Sequence, residues 1–306
     1  MKDLANYDLR QFNNFELLAK QVVEGFIIGL HKSPFHGFSV EFAEHRVYNP
    51  GDAIKNIDWK VYARTDRLYT KKFEEETNLR CQIVIDTSSS MYFPKNIDGK
   101  TVNKLQFSCL AGASIMNLLM KQRDAYGLSL FDNTLLQHTK CKSSQTHYRL
   151  LLTYLENMLS DDTLNKSTST AQCLHEVAER VHRRSLIIIF SDMLNHESSE
   201  DIFSALQHLK YNKHEVVLFH VQDKELEMDF NFENRPYEFV DMETGERVKL
   251  QSNEIKEHYI PQAKKVEEEL IQKCLQYKID FVPADINAGF HPILEKYLVK
   301  RKKMMT

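Results

Sequence analysis

Apolar positions along the chain fall into short unbroken runs, separated by segments in which they recur every three or four residues. The runs are "RCQIVID" from Arg80, "AYGLSLF" from Ala125, "SLIIIFSD" from Ser185, "EVVLFHVQD" from Glu215 and "KIDFVPAD" from Lys278. Unbroken runs of this length, each followed by a helical pattern, predict strands buried on both faces of a mostly parallel sheet. "LLQHTK" from Leu135 reads as an antiparallel companion to the second strand, which makes six. Helical spacing covers the segments from Asn103, Thr146, Thr170 and Ser199, a long charged stretch from about Tyr259, and "PILEKYLVKRKK" near the end. Between Lys224 and Leu250 the pattern is irregular, with a hairpin expected around Glu243-Thr244-Gly245. The expected fold is therefore α/β and Rossmann-like, a six-stranded sheet with helices on both faces.

Residues before Leu79 read differently. An amphipathic helix is expected from Phe15 to Leu30, followed by extended segments around a Pro-Gly-Asp turn at Pro50 to Asp52. We therefore divide the chain into an N-terminal segment, 1–78, packing on a domain formed by 79–306. Trp59, the lone tryptophan, is expected in packing. Asp52, Asp58, Arg46 and Arg64 are expected to form ion pairs. The basic tail "KRKKM" is read as a solvated helix end.

Composition narrows the class. A formal net charge of -3 over 306 residues gives no field that draws the protein to nucleic acid or anionic lipid. Five scattered cysteines, odd in number and never in C-x-x-C spacing, read as reduced thiols. No signal peptide is evident, and "VVEGFIIGL" from Val22 contains Glu24 and is too short to span a bilayer. A cytoplasmic protein is expected, with no integral membrane segment; peripheral association through a partner is compatible with this.

Two of the strands end in aspartate. Asp86 is followed by Ser88 and Ser90 in "DTSSS", and Asp192 closes "IIIFSD". If the first loop stays extended, alternate side chains converge, giving a carboxylate and two hydroxyls. The loop "NKSTSTAQ" adds Thr168, with Thr170 as the other candidate. An all-oxygen set fits Mg²⁺ or Mn²⁺ and disfavours zinc. The bland alternative for D-x-S-x-S is a helix N-cap. Other signals lack a required residue. "DGKT" from Asp98 has Pro94 where a P-loop needs glycine, and "HEVAE" from His175 ends in Glu179 where a zinc pair needs histidine. His175 and His182 are read as helix-surface or interface residues. Ser88 stands where a D-x-D phosphatase needs its second acid, and no glycine flanks a serine nucleophile.

The pattern Asp86, Ser88, Ser90, Thr168, Asp192 resembles the metal-ion-dependent adhesion site of von Willebrand factor A-like domains. In that resemblance Thr168 is preferred, because a leucine six residues on, here Leu174, accompanies the ligand threonine. Upstream, Gly37, Glu41, Arg46, Tyr48, Pro50, Gly51, Asp52, Ile57, Asp58, Trp59, Ala63, Arg64 and Glu76 resemble the signature of the bacterial "domain of unknown function 58" family, as does "YLVKR" at Tyr297 to Arg301. The resemblance implies a non-enzymatic adaptor or co-chaperone of a MoxR-type AAA+ ATPase. Its metal would bind an Asp or Glu of that ATPase or of the ATPase's client. The rival expectation is a Mg²⁺-dependent phosphohydrolase using the same strand ends.

Overall fold

The computed structural model describes residues 15–31, 45–47, 59–71, 79–94, 101–160, 169–194 and 199–305. They form two compact units, Met1–Phe26 with Leu79–Thr306, and Ile27–Asn78.

In the larger unit six strands form one sheet. They are β3 (Arg80–Asp86), β4 (Ala125–Phe131), β5 (Leu135–His138), β6 (Leu186–Ser191), β7 (Glu215–Gln222) and β10 (Asp280–Asp285). The order is β10-β7-β6-β3-β4-β5, parallel throughout except for the antiparallel β4–β5 edge. The architecture is the expected one. From β3 the chain first extends the sheet toward β4 and later returns to lay β6 on the other side of β3. The direction of strand order therefore reverses between β3 and β6, the position where ligands gather in open α/β sheets.

Helices cover both faces. On one, α5 (Thr170–Arg180), α6 (Ser199–Tyr211) and α7 (Ser252–Gln276) supply Leu174, Leu206 and Leu270 to a core with Val84, Ile189 and Leu218 of the sheet. On the other, α3 (Lys104–Lys121) lies so near β3 that a Cβ on Gly112 would stand 3.3 Å from Ile83 and Ile85. Nearly every residue of α3 before its last turn is buried, so it is an internal helix, covered in turn by α4 (Gln145–Leu159) and α8 (His291–Met305). Its start carries a capping box, with Asn103 and Gln106 bonded reciprocally. The helix α1 (Phe15–His31) buries Phe15, Leu18, Ala19, Val22, Val23 and Phe26, a stripe at helical spacing.

The smaller unit contains the pair β1 (His45–Val47) and β2 (Tyr69–Lys71) and the helix α2 (Trp59–Thr65). Trp59 corrects the sequence reading, being 58% exposed with its ring edge-on to Tyr62. The Pro50 to Asp52 turn, Asp52, Asp58 and the Arg46 side chain fall outside the described residues.

Two further expectations are revised. The helix α7 begins at Ser252, seven residues before Tyr259, and carries Pro261 in its interior. "SNEIKEH" has no apolar period to announce a helix, and a proline ordinarily marks a first turn. The basic tail is not simply solvated. Lys300 pairs with Glu215 at 2.6 Å and Asp280 at 2.9 Å, Arg301 with Asp124 at 2.7 Å, and the Tyr297 hydroxyl donates to Gln122 at 3.0 Å. These contacts fasten α8 across the amino ends of β4, β7 and β10. All five cysteines are free thiols, and all but Cys141 are buried.

Burial alone would raise the Glu215 and Asp280 carboxyls, but the hydrogen bonds from Lys300 and its charge hold both below the ordinary range. A depressed carboxyl pKa stabilises the fold above its unfolded value and loses that contribution as pH falls through the folded one. Lys300→Met should therefore cost about 1–2 kcal/mol at pH 7, a range reduced because both carboxylates are partly solvated. Urea unfolding of the variant and the parent should show the stability difference shrinking as pH falls below the ordinary carboxylate range, because the folded acids lose their charge there.

Candidate metal centre

At the carboxyl ends of β3 and β6 the chain brings two acids, Asp86 and Asp192, near enough for their charges to interact. The register that pairs Ile85 with Phe190 brings Asp86 next to Ser191. The Ser191 hydroxyl donates to Asp86 Oδ2 at 2.7 Å, and the Ser88 amide donates to Oδ1 at 3.0 Å. Thr87 turns the other way, its amide and hydroxyl both donating to the Phe131 carbonyl. The loop does not remain extended as the sequence reading supposed. Ser89–Tyr92 is a 3-10 turn, and the Asp86 carboxylate caps the bend that leads into it. Tightening the loop still brings the alternate hydroxyls together, with Ser88 Oγ 3.0 Å from Ser90 Oγ. That contact is a hydrogen bond between the two hydroxyls, and its length is also compatible with two neighbouring ligands of an octahedral cation at about 2.1 Å, which stand about 3.0 Å apart.

Asp192 is buried one residue past β6. Its Oδ1 accepts from the Leu194 amide at 3.0 Å, and its carbonyl lies 2.9 Å from His220 Nε2. Its Oδ2 accepts from Lys104 Nζ at 2.8 Å. Lys104, the first residue of α3, was not singled out from sequence, nor was Glu227, which takes the same ammonium at 2.6 Å. Glu227 sits in a π-helical turn, Lys224–Met228, and is steadied by the Asp223 amide at 2.7 Å on its other oxygen. No sequence signal marks either residue.

The electrostatics follow from burial. Asp86 is pushed up to about 7 by desolvation and then by the neighbouring Asp192 charge, while bonds from Ser191 and Ser88 pull it down. Burial would lower Lys104, but Asp192 and Glu227 together hold it above its ordinary value, so the ammonium stays charged. Glu227 is raised by burial, in part offset by Lys104.

A cavity of 340 Å³ opens beside these groups, lined by Ser90, Phe93, Lys104, Leu194 and Glu227. Its far wall is Asp241, Met242 and Glu243, from the turn joining β8 (Pro236–Val240) to β9 (Arg247–Gln251). Phe230 against Phe239 and Tyr259 anchors that hairpin, which the sequence reading placed correctly.

Of the five expected ligands, Asp86, Ser88, Ser90 and Asp192 are gathered at the two strand ends, and Thr168 lies outside the described residues. Thr170, the alternative, is fully buried at the start of α5, and its hydroxyl has no hydrogen-bond partner among the described residues. No cluster of three or more His, Cys, Asp or Glu with metal-binding geometry occurs among those residues. The donor set is instead two acids and hydroxyls. His175, read as a helix-surface residue, stands with its Nδ1 2.9 Å from His208 Nδ1 across α5 and α6.

The model of the family described as "Protein of unknown function DUF58" matches residues 44–269. The chain is similar to uncharacterized proteins of Mycobacterium bovis and Mycobacterium tuberculosis, 24% identical over 179 residues that cover 58% of this chain and 55% of each relative. It thus spans about half the length of those curated relatives. Among solved structures it is similar to the conserved hypothetical protein BatB from Bacteroides thetaiotaomicron, with 16% identity, 74% of this chain and 98% of that chain covered, and a TM-score of 0.47. The SpRpn10 VWA domain is 13% identical, with 47% of this chain and 75% of that chain covered and a TM-score of 0.32. No described helix is long and apolar enough to cross a membrane.

A buried hydroxyl without a partner destabilises a fold, so Thr170→Val should raise the stability of the metal-free protein by about 1 kcal/mol. Chemical denaturation in chelator measures this. A loss of stability would mean that the hydroxyl is already satisfied.

Proposed function

Because the chain belongs to the DUF58 family, we propose that it is a non-enzymatic protein-interaction module whose contact site is a divalent cation held at the ends of β3 and β6. The observation that carries the reading is the meeting of Asp86 and Asp192 on adjacent strand ends, with two serine hydroxyls at ligand spacing in front of them. Ser88, Ser90 and Thr168, with Thr170 as the alternative to Thr168, would supply hydroxyl ligands to Mg²⁺ or Mn²⁺. Asp86 accepts hydrogen bonds on both oxygens, which suits it to hold the cation through bound water, and Asp192 would act directly or through water. When bound, the metal offers an exchangeable position to an Asp or Glu oxygen. Without it, Asp86 and Asp192 repel such an acid, so the metal reverses the sign of the site's affinity for carboxylates.

The cavity wall formed by the β8–β9 turn would favour one projecting side chain over a flat surface. The partner we propose is a MoxR-type AAA+ ATPase, or the client it remodels, met in the cytoplasm. Support for the non-enzymatic reading comes from the site itself. Each described acid there is already engaged by a hydrogen bond or ion pair.

Mg²⁺ at a hundredfold over its dissociation constant should stabilise the parent protein by about 2.7 kcal/mol. Asp86→Asn and Asp192→Asn should lose that increment, seen as melting curves that no longer respond to Mg²⁺. The same variants should lose a purified MoxR-type ATPase in a binding assay, as should the parent protein in chelator. Hydrolysis of a phosphate-ester panel by the parent, abolished by the same substitutions, would replace this reading with the phosphohydrolase.

A further inference from the structure

Among the described residues, the site holds a cation of its own. Lys104 is fixed at its backbone by the Phe93 carbonyl at 3.0 Å, its side chain is 0% exposed, and its ammonium lies 2.8 Å from Asp192 and 2.6 Å from Glu227. An ammonium in that position could not stay buried without those two partners. The two partners differ in kind. Asp192 belongs to the acid pair that would hold a metal, whereas Glu227 arrives from the turn after β7 and is anchored independently by the Asp223 amide. Lys104 and Glu227 also belong to the lining of the cavity that reaches Ser90, so the pair borders the space in front of the proposed ligands.

We propose that Lys104 is a tethered counter-ion that competes with the divalent cation for Asp192, and that Glu227 is where its ammonium rests when the metal is bound. The inference depends on the metal-site reading above and concerns the tuning of that site. Asp86, Asp192 and Glu227 carry three negative charges when ionised and Lys104 one positive, leaving two for the incoming ion to balance. A monovalent cation offers Asp192 no more charge than the ammonium already does and gains nothing by displacing it. A divalent cation does gain. The lysine thus lowers affinity for every metal while sharpening the preference for divalent ones, and it keeps the acid pair partly neutralised in the metal-free state.

Titration calorimetry of the full chain with Mn²⁺ tests this. Lys104→Met removes the charge from an unbranched side chain of similar reach and should tighten Mn²⁺ binding at least tenfold. The double variant Lys104→Met/Glu227→Gln leaves Asp86 and Asp192 as the charged groups, with the same net charge as the parent cluster. It should also bind more tightly, and its gain cannot be assigned to net charge. The double variant also carries the test if the single one fails to fold, because it leaves no unpaired Glu227. Glu227→Gln alone removes the resting place and should weaken Mn²⁺ binding. If the parent binds Mn²⁺ and both lysine variants bind equally or more weakly, Lys104 merely positions Asp192 and the competition is wrong, while the metal site stands. If neither the parent nor the lysine variants bind, both readings fall. If only the lysine variants bind, the lysine outcompetes the metal outright and the proposal holds.

Discussion

Desolvation of charge governs the upper end of this molecule. Three largely buried carboxylates and a buried ammonium sit at the carboxyl end of a sheet of mostly apolar strands, and none could remain ionised there alone. Each is held by another. The hydroxyl of Ser191 and the amide of Ser88 serve Asp86, the Leu194 amide and Lys104 serve Asp192, and Glu227 reaches in from a separate turn. The shape of the region follows from that requirement. The tight turn after β3 lets a carboxylate meet its own backbone, and α3 begins where its first side chain can supply positive charge.

The sheet order explains why such a cluster forms here and not elsewhere. Strands β3 and β6 are adjacent in space but far apart in sequence, and the helices that follow them leave to opposite faces. Their departure opens a crevice at the strand ends that no side chain needs to fill for packing. Polar residues can occupy it without removing apolar contacts from either face of the sheet.

The strands and most helices were legible because their apolar periods are long and local. "SLIIIFSD" admits few readings other than a buried strand ending on an acid, and the six-stranded sheet follows from five such runs and one edge. Most of the proposed ligand set was legible for the same reason, since strand ends mark themselves. The loop between the ligands was not, because an extended path and a 3-10 turn both bring Ser88 and Ser90 together. Lys104 and Glu227 were invisible for a different reason. Their partnership spans 123 residues, and Asp192 lies 88 residues from Lys104, so no window of sequence contains the pair. The same distance hid the roles of Lys300 and Arg301, which read locally as a solvated basic tail but answer acids at the start of distant strands.

The clamp by which α8 grips the strand beginnings lies at the far end of the sheet from the acids. A strand of six or seven residues is about 20 Å long. The two polar ends are therefore well separated, and each is held by its own set of side chains. Charges at the acid end can be exchanged without breaking any of the pairs that fasten α8 at the other. The composition of one end can thus drift over evolutionary time while the fold stays the same.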